Sequence, residues 1–359
     1  MEIDFLAIET SCDDTSVSIL RAKENKQGEL QKIEALSNIV SSQTEIHKGY
    51  GGVYPFLAKR EHQKNLPLVF GQAVKNVDIA QIKFVAVTQG PGLDPCLWAG
   101  INFAQNLAKQ YNKPLVGANH LESHFLANLL TLKIGEKEFT KIYLPAMCLV
   151  VSGGHTLLFL ARAIGDYKLI GQTLDDAAGE CFDKTARILG LDYPGGPLIA
   201  QYAQQYFVNN SLPKYDIKLP RPMISQKNYN FSFSGLKTAV LYAHQKQNEE
   251  TQKSPEYLRM MSFEIQQAIV DVLVSKTARA AKEFAAKSII IGGGVSANEE
   301  LRKQMKTAAD GLQTKFLAPS FNLSADNAAM AGVAGYFAWR RGEAVKNPDS
   351  LVSKPNLGI

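Results

Sequence analysis

The chain has 359 residues, with 39 Lys+Arg against 34 Asp+Glu, 45% hydrophobic residues and 20% charged ones. At roughly 100–200 residues per domain this is about two domains, each long enough to bury a core. A charged share below the usual ~25% excludes intrinsic disorder, and a formal net charge of +5 excludes a histone-like polycation. Cys12, Cys96, Cys148 and Cys181 lie far apart with no C-x-x-C pair. They write neither a disulfide framework nor a thiolate zinc site, and a reducing, cytoplasmic setting is expected. The acidic start Met1–Asp4 runs into a strand and is unlike a signal peptide, and no apolar run approaches the ~18 residues of a membrane span, so no membrane partner is expected.

In chain order, strand and helix signals alternate, the pattern of an α/β architecture. Ile3–Glu9 and Val17–Arg21 are apolar, β-branched runs around a polar turn and predict a hairpin. Leu57–Val77 reads as a helix, Phe84–Thr88 as a buried strand ending at Gln89-Gly90-Pro91-Gly92, Trp98–Tyr111 as a helix, Pro114–Ala118 as a strand and Asn119–Leu130 as a helix. A second hairpin follows, Ala146–Ser152 and Thr156–Ala161 flanking Gly153-Gly154-His155. The two hairpins lie about 140 residues apart and suggest a pseudo-repeat, each opening one lobe. Lys168–Thr173 then predicts a strand, and helices are expected near Ala178–Gly190, Pro197–Phe207, Ser234–Gln245 and Pro255–Ala285. The strand Ser288–Ile291 runs into Gly292-Gly293-Gly294, followed by a helix from Ala297, a strand Thr314–Ala318 and a last helix Ala325–Arg340. The expected organisation is lobe I from 1–130 plus 324–345, lobe II from 131–323 and a loosely held tail, 346–359.

Three polar loops leave buried strands. Gly292–Glu299 joins a strand to a helix, where glycines admit close ligand approach and the helix start offers free N–H donors. Ser296 and Glu299 have capping-box spacing there. No G-K-[ST] follows, so this is no P-loop, and a bland strand-to-helix turn is an even alternative. Val151-Ser152-Gly153-Gly154-His155 adds a second Gly/Ser turn; the pair, facing one crevice, would suit a phosphate or adenylate clamp. The hairpin turn at Asp13 and Asp14 is the third, with plain Asx hydrogen bonding as its alternative.

His120-x-x-x-His124 is the sharpest metal candidate. Residues i and i+4 lie about 40° apart on a helix, so both imidazoles share one face. Asn119 can cap this helix, while Glu122 points about 200° away from His120. An H-E-x-x-H protease needs Glu where Leu121 stands, which argues against zincin proteolysis. Asp326, behind Ser324 at an expected helix start, is the best third ligand, with a dipole-complementing first-turn Asp as the alternative. Two His and one carboxylate leave open positions, suiting iron or zinc at a working site. Between Pro213 and Phe233, Lys214, Lys218, Arg221 and Lys227 interleave with Tyr215, Tyr229, Phe231 and Phe233, a mixture that would suit looped RNA. Taken alone, the segment is better explained as a solvated loop with its aromatics tucked into the core.

Ile8-Glu9-Thr10-Ser11-Cys12-Asp13, Tyr50-Gly51-Gly52-Val53, Gly90-Pro91-Gly92-Leu93, Asn119-His120 with His124, Val151–His155, Asp176-Ala177-Ala178-Gly179-Glu180 with Phe182-Asp183-Lys184, Tyr193-Pro194-Gly195-Gly196-Pro197, Phe231–Lys237, Gly292–Asn298 and Asp326-Asn327 occur in one order. From about Ile3 to Arg340 the chain thereby resembles the tRNA N6-adenosine threonylcarbamoyltransferases, formerly called O-sialoglycoprotein endopeptidases, in their bacterial form. The resemblance implies two related actin/Hsp70/sugar-kinase-like (RNase H-like) lobes around a nucleotide and metal crevice. It implies metal ligands at His120, His124 and Asp326, holding one divalent or ferric ion (iron or zinc), with ATP/Mg a further candidate for the crevice. Threonylcarbamoyl-adenylate would be bound by Val151, Ser152, Gly153, Gly154, His155, Asp183, Gly196 and Asn298, and Asp13 matches the family's acidic first-turn residue implicated in activity. Implied partners are tRNA, an inactive paralogous subunit forming a heterodimer, and a small ATPase. The rival readings are a metal-dependent endopeptidase and a non-catalytic actin-like nucleotide-binding subunit. Departures from the family pattern are Asp14 where Glu is common, Asp94-Pro95-Cys96-Leu97-Trp98 after Gly-Pro-Gly-Leu, and Tyr54-Pro55-Phe56 where Val-Pro-Glu is frequent.

Overall fold

The structure is a computed structural model of the chain and describes residues 1–131, 141–208 and 217–359. It divides into two compact units, Met1–Ile142 with Pro319–Ile359 and Tyr143–Ala318.

Unit 1 is built on one sheet: β1 (Glu2–Glu9), β2 (Asp14–Glu24), β3 (Leu30–Ser42), β4 (Val85–Gly90), β5 (Leu115–Asn119) and β6 (Leu130–Thr131), in the order β5-β4-β1-β2-β3-β6. The first three strands form an antiparallel meander, in register from Glu2↔Lys23 to Glu9↔Ser16; β4 adds parallel to β1, and β5 parallel to β4. Strand β1 is apolar without alternation because helices cover both of its faces. Leu6 and Ile8 pack with Leu66 and Val69 of the helix Pro55–Ala73 and Leu97 and Ile101 of Asp94–Gln110. On the other face Phe5 stacks on Phe84 (4.6 Å) and Phe84 on Trp339 (5.1 Å) of the helix Ala328–Arg340. Strand β3 carried no sequence signal because only Ile33 in it is fully buried; beyond it the sheet has just the two-residue β6, and a strand so little covered has little apolar periodicity to read.

Unit 2 repeats the plan with β7 (Ala146–Val151), β8 (Thr156–Ala163), β9 (Asp166–Gln172), β10 (Ser288–Gly292) and β11 (Lys315–Leu317), in the order β11-β10-β7-β8-β9. Again three antiparallel strands are followed by two parallel ones added beside the first. The two hairpins read from the sequence are the opening hairpins of the two units. Its core gathers on the 29-residue helix Pro255–Glu283, started by Pro255 and by Ser254, whose Oγ accepts the Tyr257 N–H at 3.3 Å.

Each unit brings a glycine from behind its fourth strand onto the turn or strand end of its first. A Cβ on Gly92 would lie 2.7 Å from the Ser11 carbonyl oxygen. On Gly293, at φ +88°, it would lie 2.4 Å from the carbonyl oxygen of Val151. Two helix starts fall later than expected. The helix expected from Ala297 begins at Glu299, after a 3-10 turn Gly294–Ala297, and its cap is Asn298, not Ser296. The last helix begins at Ala328, where Asn327 caps it and Ser16 Oγ accepts the Ala328 N–H (2.8 Å). The tail is fastened to unit 1: Lys354 N–H donates to Gln89 O (2.8 Å), Gly92 N–H to Pro355 O (3.1 Å), and Asn119 Nδ2 to Gly358 O (2.7 Å). Its polar composition reads as loose because its partners are main-chain groups of distant segments.

Candidate metal centre and ligand cavity

In unit 1 the helix His120–Leu126 starts at Asn119, whose Oδ1 accepts the N–H groups of Leu121 (2.8 Å) and Glu122 (3.3 Å). That cap fixes where His120 and His124 emerge on one face. Asp326 arrives from the segment before the capped helix Ala328–Arg340, one residue ahead of Asn327, rather than from a first helical turn. Its Oδ1 lies 3.1 Å from His124 Nε2 and 3.7 Å from His120 Nε2, and one ligand atom from each residue lies within 4.8 Å of the others.

Behind His120 stands Glu9, fully buried and absent from the candidate residues of the sequence. Its Oε2 lies 3.1 Å from His120 Nδ1 and also accepts the Thr88 hydroxyl (2.6 Å), while Oε1 accepts the Ser11 N–H (2.6 Å). A carboxylate only accepts, so His120 donates Nδ1–H to Glu9, which turns its Nε2 toward Asp326. Burial opposes a charge on Glu9, but His120 outweighs it and holds the carboxyl below its ordinary range. Burial likewise disfavours the His120 imidazolium, but the charges of Asp326 and Glu9 push it up to about 9. Burial lowers His124 instead. Asp13 and Asp14 are raised by burial and by the charge of Asp326, Asp14 to about 7. Both ring nitrogens of His124 are buried with no aligned hydrogen bond. The donor set, two imidazoles and a carboxylate around that orphaned nitrogen, fits a borderline metal such as zinc or iron. Glu122 faces elsewhere, its Oε1 3.4 Å from Arg341 Nη1.

In unit 2 a cavity of about 670 Å³ is lined by Gly153, Asp183, Gly196 and Asn298, four of the eight substrate-binding candidates, together with Gly179 and Gln266. Asp183 Oδ1 accepts the Gly195 N–H (2.8 Å) at the start of the helix Gly195–Val208, and burial holds its carboxyl above the ordinary range. Asn298 Oδ1 accepts the Leu301 N–H (2.9 Å) while Nδ2 donates to Gln266 Oε1 (2.8 Å). Ser152 closes its turn on His155, donating N–H to its carbonyl (2.8 Å) and accepting its N–H on Oγ (3.2 Å). Val151 is buried at the end of β7, and Gly154 is exposed. Those four residues shape the turn without lining the cavity.

Among the described residues, the basic-aromatic segment presents its aromatics to the core and not as a stacking surface. Phe231 and Phe233 are fully buried, Tyr229 nearly so, and Arg221 is held by Glu264 (3.1 Å) and Asp271 (2.9 Å). Lys214 and Tyr215 lie outside the described residues.

Two α/β units of one repeated strand order, one carrying an acidic-histidine centre and the other a glycine-lined cavity, define a protein of the actin/Hsp70/sugar-kinase-like class. The family model described as "TsaD: tRNA N6-adenosine threonylcarbamoyltransferase" matches residues 34–333. A tRNA N6-adenosine threonylcarbamoyltransferase of Thermosipho africanus is 43% identical over 356 residues, covering 99% of both chains. The corresponding Bacillus subtilis protein is 42% identical over 358 residues, covering 99% of this chain and 95% of its own. This chain therefore belongs to the tRNA N6-adenosine threonylcarbamoyltransferase family. Among solved structures, T. kodakarensis HypF superposes with a TM-score of 0.57 at 12% identity, over 96% of this chain and 49% of that one, a likeness of fold alone.

Proposed function

We propose that the chain carries out its family's reaction: transfer of the threonylcarbamoyl group from threonylcarbamoyl-adenylate to N6 of the adenosine on the 3′ side of the anticodon, in tRNAs reading codons that begin with A. The observation that carries this reading is the near full-length likeness to named transferases, in a chain that keeps His120, His124 and Asp326 within 4.8 Å of one another.

An exocyclic amine is a poor nucleophile, so the site must orient the acyl group, hold the adenylate leaving group and accept a proton. His120, His124 and Asp326 would hold one iron or zinc ion, which when bound supplies positive charge beside the threonylcarbamoyl group. In unit 2 the cavity at Gly153, Asp183, Gly196 and Asn298 would take the adenylate, with the main-chain N–H groups of the cavity-lining Gly153 and Gly294 as phosphate donors. Asp13 would accept the amine proton; burial and the charge of Asp326 raise its carboxyl above the ordinary range, the direction that strengthens it as a base. ATP/Mg is a second candidate occupant of the unit 2 cavity. A heterodimeric paralogue, a small ATPase and a cytoplasmic setting complete the reading; the four cysteines are unpaired, and no helix among the described residues is long and apolar enough to cross a membrane.

The test is a reconstituted reaction with adenylate, unmodified tRNA and the partner subunits, read by mass spectrometry of tRNA nucleosides. Threonylcarbamoyladenosine that depends on this chain is expected. A chain that retains adenylate but leaves the tRNA unmodified would overturn the reading.

A further inference from the structure

A buried hydrogen-bond chain runs behind the Asp13 turn, through residues assigned no role above. Thr15, Gln43, His47 and His62 are all fully buried. The Tyr54 N–H donates to His47 Nδ1 (3.3 Å), and His47 Nε2 lies 3.2 Å from Gln43 Oε1. Gln43 Nε2 reaches Ala58 O and His62 Nδ1, each at 3.3 Å, and the Thr15 hydroxyl lies 2.8 Å from the same His62 Nδ1. His62 Nε2 lies 3.0 Å from the Cys12 carbonyl oxygen, and Gln43 N–H donates to Asp13 O (3.1 Å).

The chemistry of the end groups fixes every proton. A main-chain N–H only donates, so His47 Nδ1 accepts and its proton is on Nε2, directed at Gln43 Oε1. Ala58 O only accepts, so the Gln43 amide presents NH2 on that side, and the one lone pair of His62 Nδ1 is shared by two donors, the Thr15 hydroxyl at 2.8 Å and Gln43 Nε2 at 3.3 Å. The Cys12 carbonyl accepts in turn, which places the His62 proton on Nε2. Donors and acceptors alternate without conflict from Tyr54 through His47, Gln43 and His62 to Cys12. Both ends of the Asp13 main chain are thus held: the carbonyl before it by His62 and its own carbonyl by Gln43. A buried, fully satisfied polar chain is rigid, and breaking it leaves donors or acceptors unpaired in the interior.

We propose that His62, with Gln43 and His47, is a positioning device that sets the Asp13 carboxylate for the transfer and ties it to the Tyr50–Tyr54 loop. This rests on the reading of Asp13 as the group that takes the amine proton. His62 touches no reacting atom and acts through the Cys12–Asp13 main chain.

The first test is spectroscopic, by long-range 15N–1H correlation of the imidazoles in the full-length protein. His47 and His62 are both expected as neutral Nε2–H tautomers; an Nδ1–H tautomer at either position overturns the relay. The second is kinetic, in the reconstituted reaction. His62→Leu should lower kcat about tenfold to a hundredfold, the scale of a small misplacement of a catalytic group, with KM for adenylate and tRNA little changed. His62→Gln, whose amide N–H can replace Nε2–H toward Cys12, should recover most of that loss. A His62→Leu protein with undiminished kcat, or a loss that His62→Gln leaves unrepaired at equal folded fraction, overturns the proposal. Should His62→Leu not fold, the isosteric Gln43→Glu, which turns a donor into an acceptor toward His62 and Ala58, decides: full kcat in that variant overturns the relay. An Asp13→Asn protein with full activity would instead remove the reading of Asp13, whatever His62 does.

Discussion

In unit 1 the four residues after the first strand, Thr10–Asp13, are held mainly by side chains: Glu9 grips the Ser11 N–H, His62 the Cys12 carbonyl, and Thr10 donates its hydroxyl to Cys96 O at 2.9 Å. In unit 2 the four residues at the same place, Ser152–His155, close on themselves, and a Cβ on Gly153 or Gly154 would meet nothing within 4 Å. One strand order therefore supports two kinds of site. Buried acids and imidazoles hold charge in a set geometry, which suits a metal and proton transfer; an open glycine turn offers main-chain donors at close range, which suits a nucleotide. The repeat supplies position, and the side chains after the first strand supply the chemistry.

The largest effect should come from breaking the charged side of this contrast. His124→Ala leaves Asp326 and His120 without their third member, and a loss of at least about a hundredfold in tRNA modification is expected, with bound metal lost in parallel by elemental analysis. Modification at the wild-type rate without metal would put the chemistry elsewhere. Next is the glycine side. Gly293→Ala must put a Cβ at 2.4 Å from Val151 O in a left-handed conformation, and should cost about 2–4 kcal/mol in denaturant unfolding. Gly153→Ala meets no atom, so its stability should change by less than about 1 kcal/mol while binding of a stable adenylate analogue weakens. Equal stability losses in the two variants would erase the distinction between a packing glycine and a ligand-facing one.

Much of this was legible in the sequence, for a physical reason in each case. Spacing alone places His120 and His124 on one helical face, and apolar runs around short turns mark both opening hairpins. Asp326 was legible as a residue type near a helix start, but not its placement ahead of Asn327, because caps depend on which side chain reaches the free N–H groups. Glu9 was not legible as a partner of His120: it ends a strand, and only the fold brings it to 3.1 Å from a residue 111 positions later. The chain through Gln43 and His62 escaped for the same reason. The aromatics near Phe231 were legible from their type alone: large apolar rings in a polar loop read best as tucked into the core, and Phe231 and Phe233 are buried there.

A smaller effect concerns pH. Asp14 is raised by burial, then by Asp326, to about 7 from an ordinary 3.8. A raised carboxyl binds its proton more tightly in the folded state. The stabilisation is therefore complete below about pH 3.8 and is lost as pH rises through about 7. Metal-free protein should lose about 2 kcal/mol on this account between pH 5 and pH 8, less than the full shift implies because the group is partly solvated. Asp14→Asn should flatten that slope in urea unfolding, and so should a bound cation, which offsets the charge of Asp326. A slope unchanged in both cases would mean that Asp14 does not report on the centre.

The smallest effect on stability separates cap from ligand at Asn298. Its Oδ1 starts the helix Glu299–Gly311 and its Nδ2 holds Gln266, while the residue also lines the unit 2 cavity. Asn298→Ala removes the cap and should cost about 1 kcal/mol. Asn298→Asp keeps an acceptor at the helix start, where the dipole favours its charge, so its stability should stay within about 0.5 kcal/mol of the parent. What Asp cannot do is donate, and it brings negative charge to a cavity read as the seat of an adenylate. Affinity for a stable adenylate analogue, measured by calorimetry, should therefore fall about tenfold in the Asp variant, by loss of one hydrogen bond and by repulsion of the phosphate. If the Asp variant binds as the parent does, Asn298 serves the helix alone, and the ligand's polar contacts must come from Asp183 and the glycine turns.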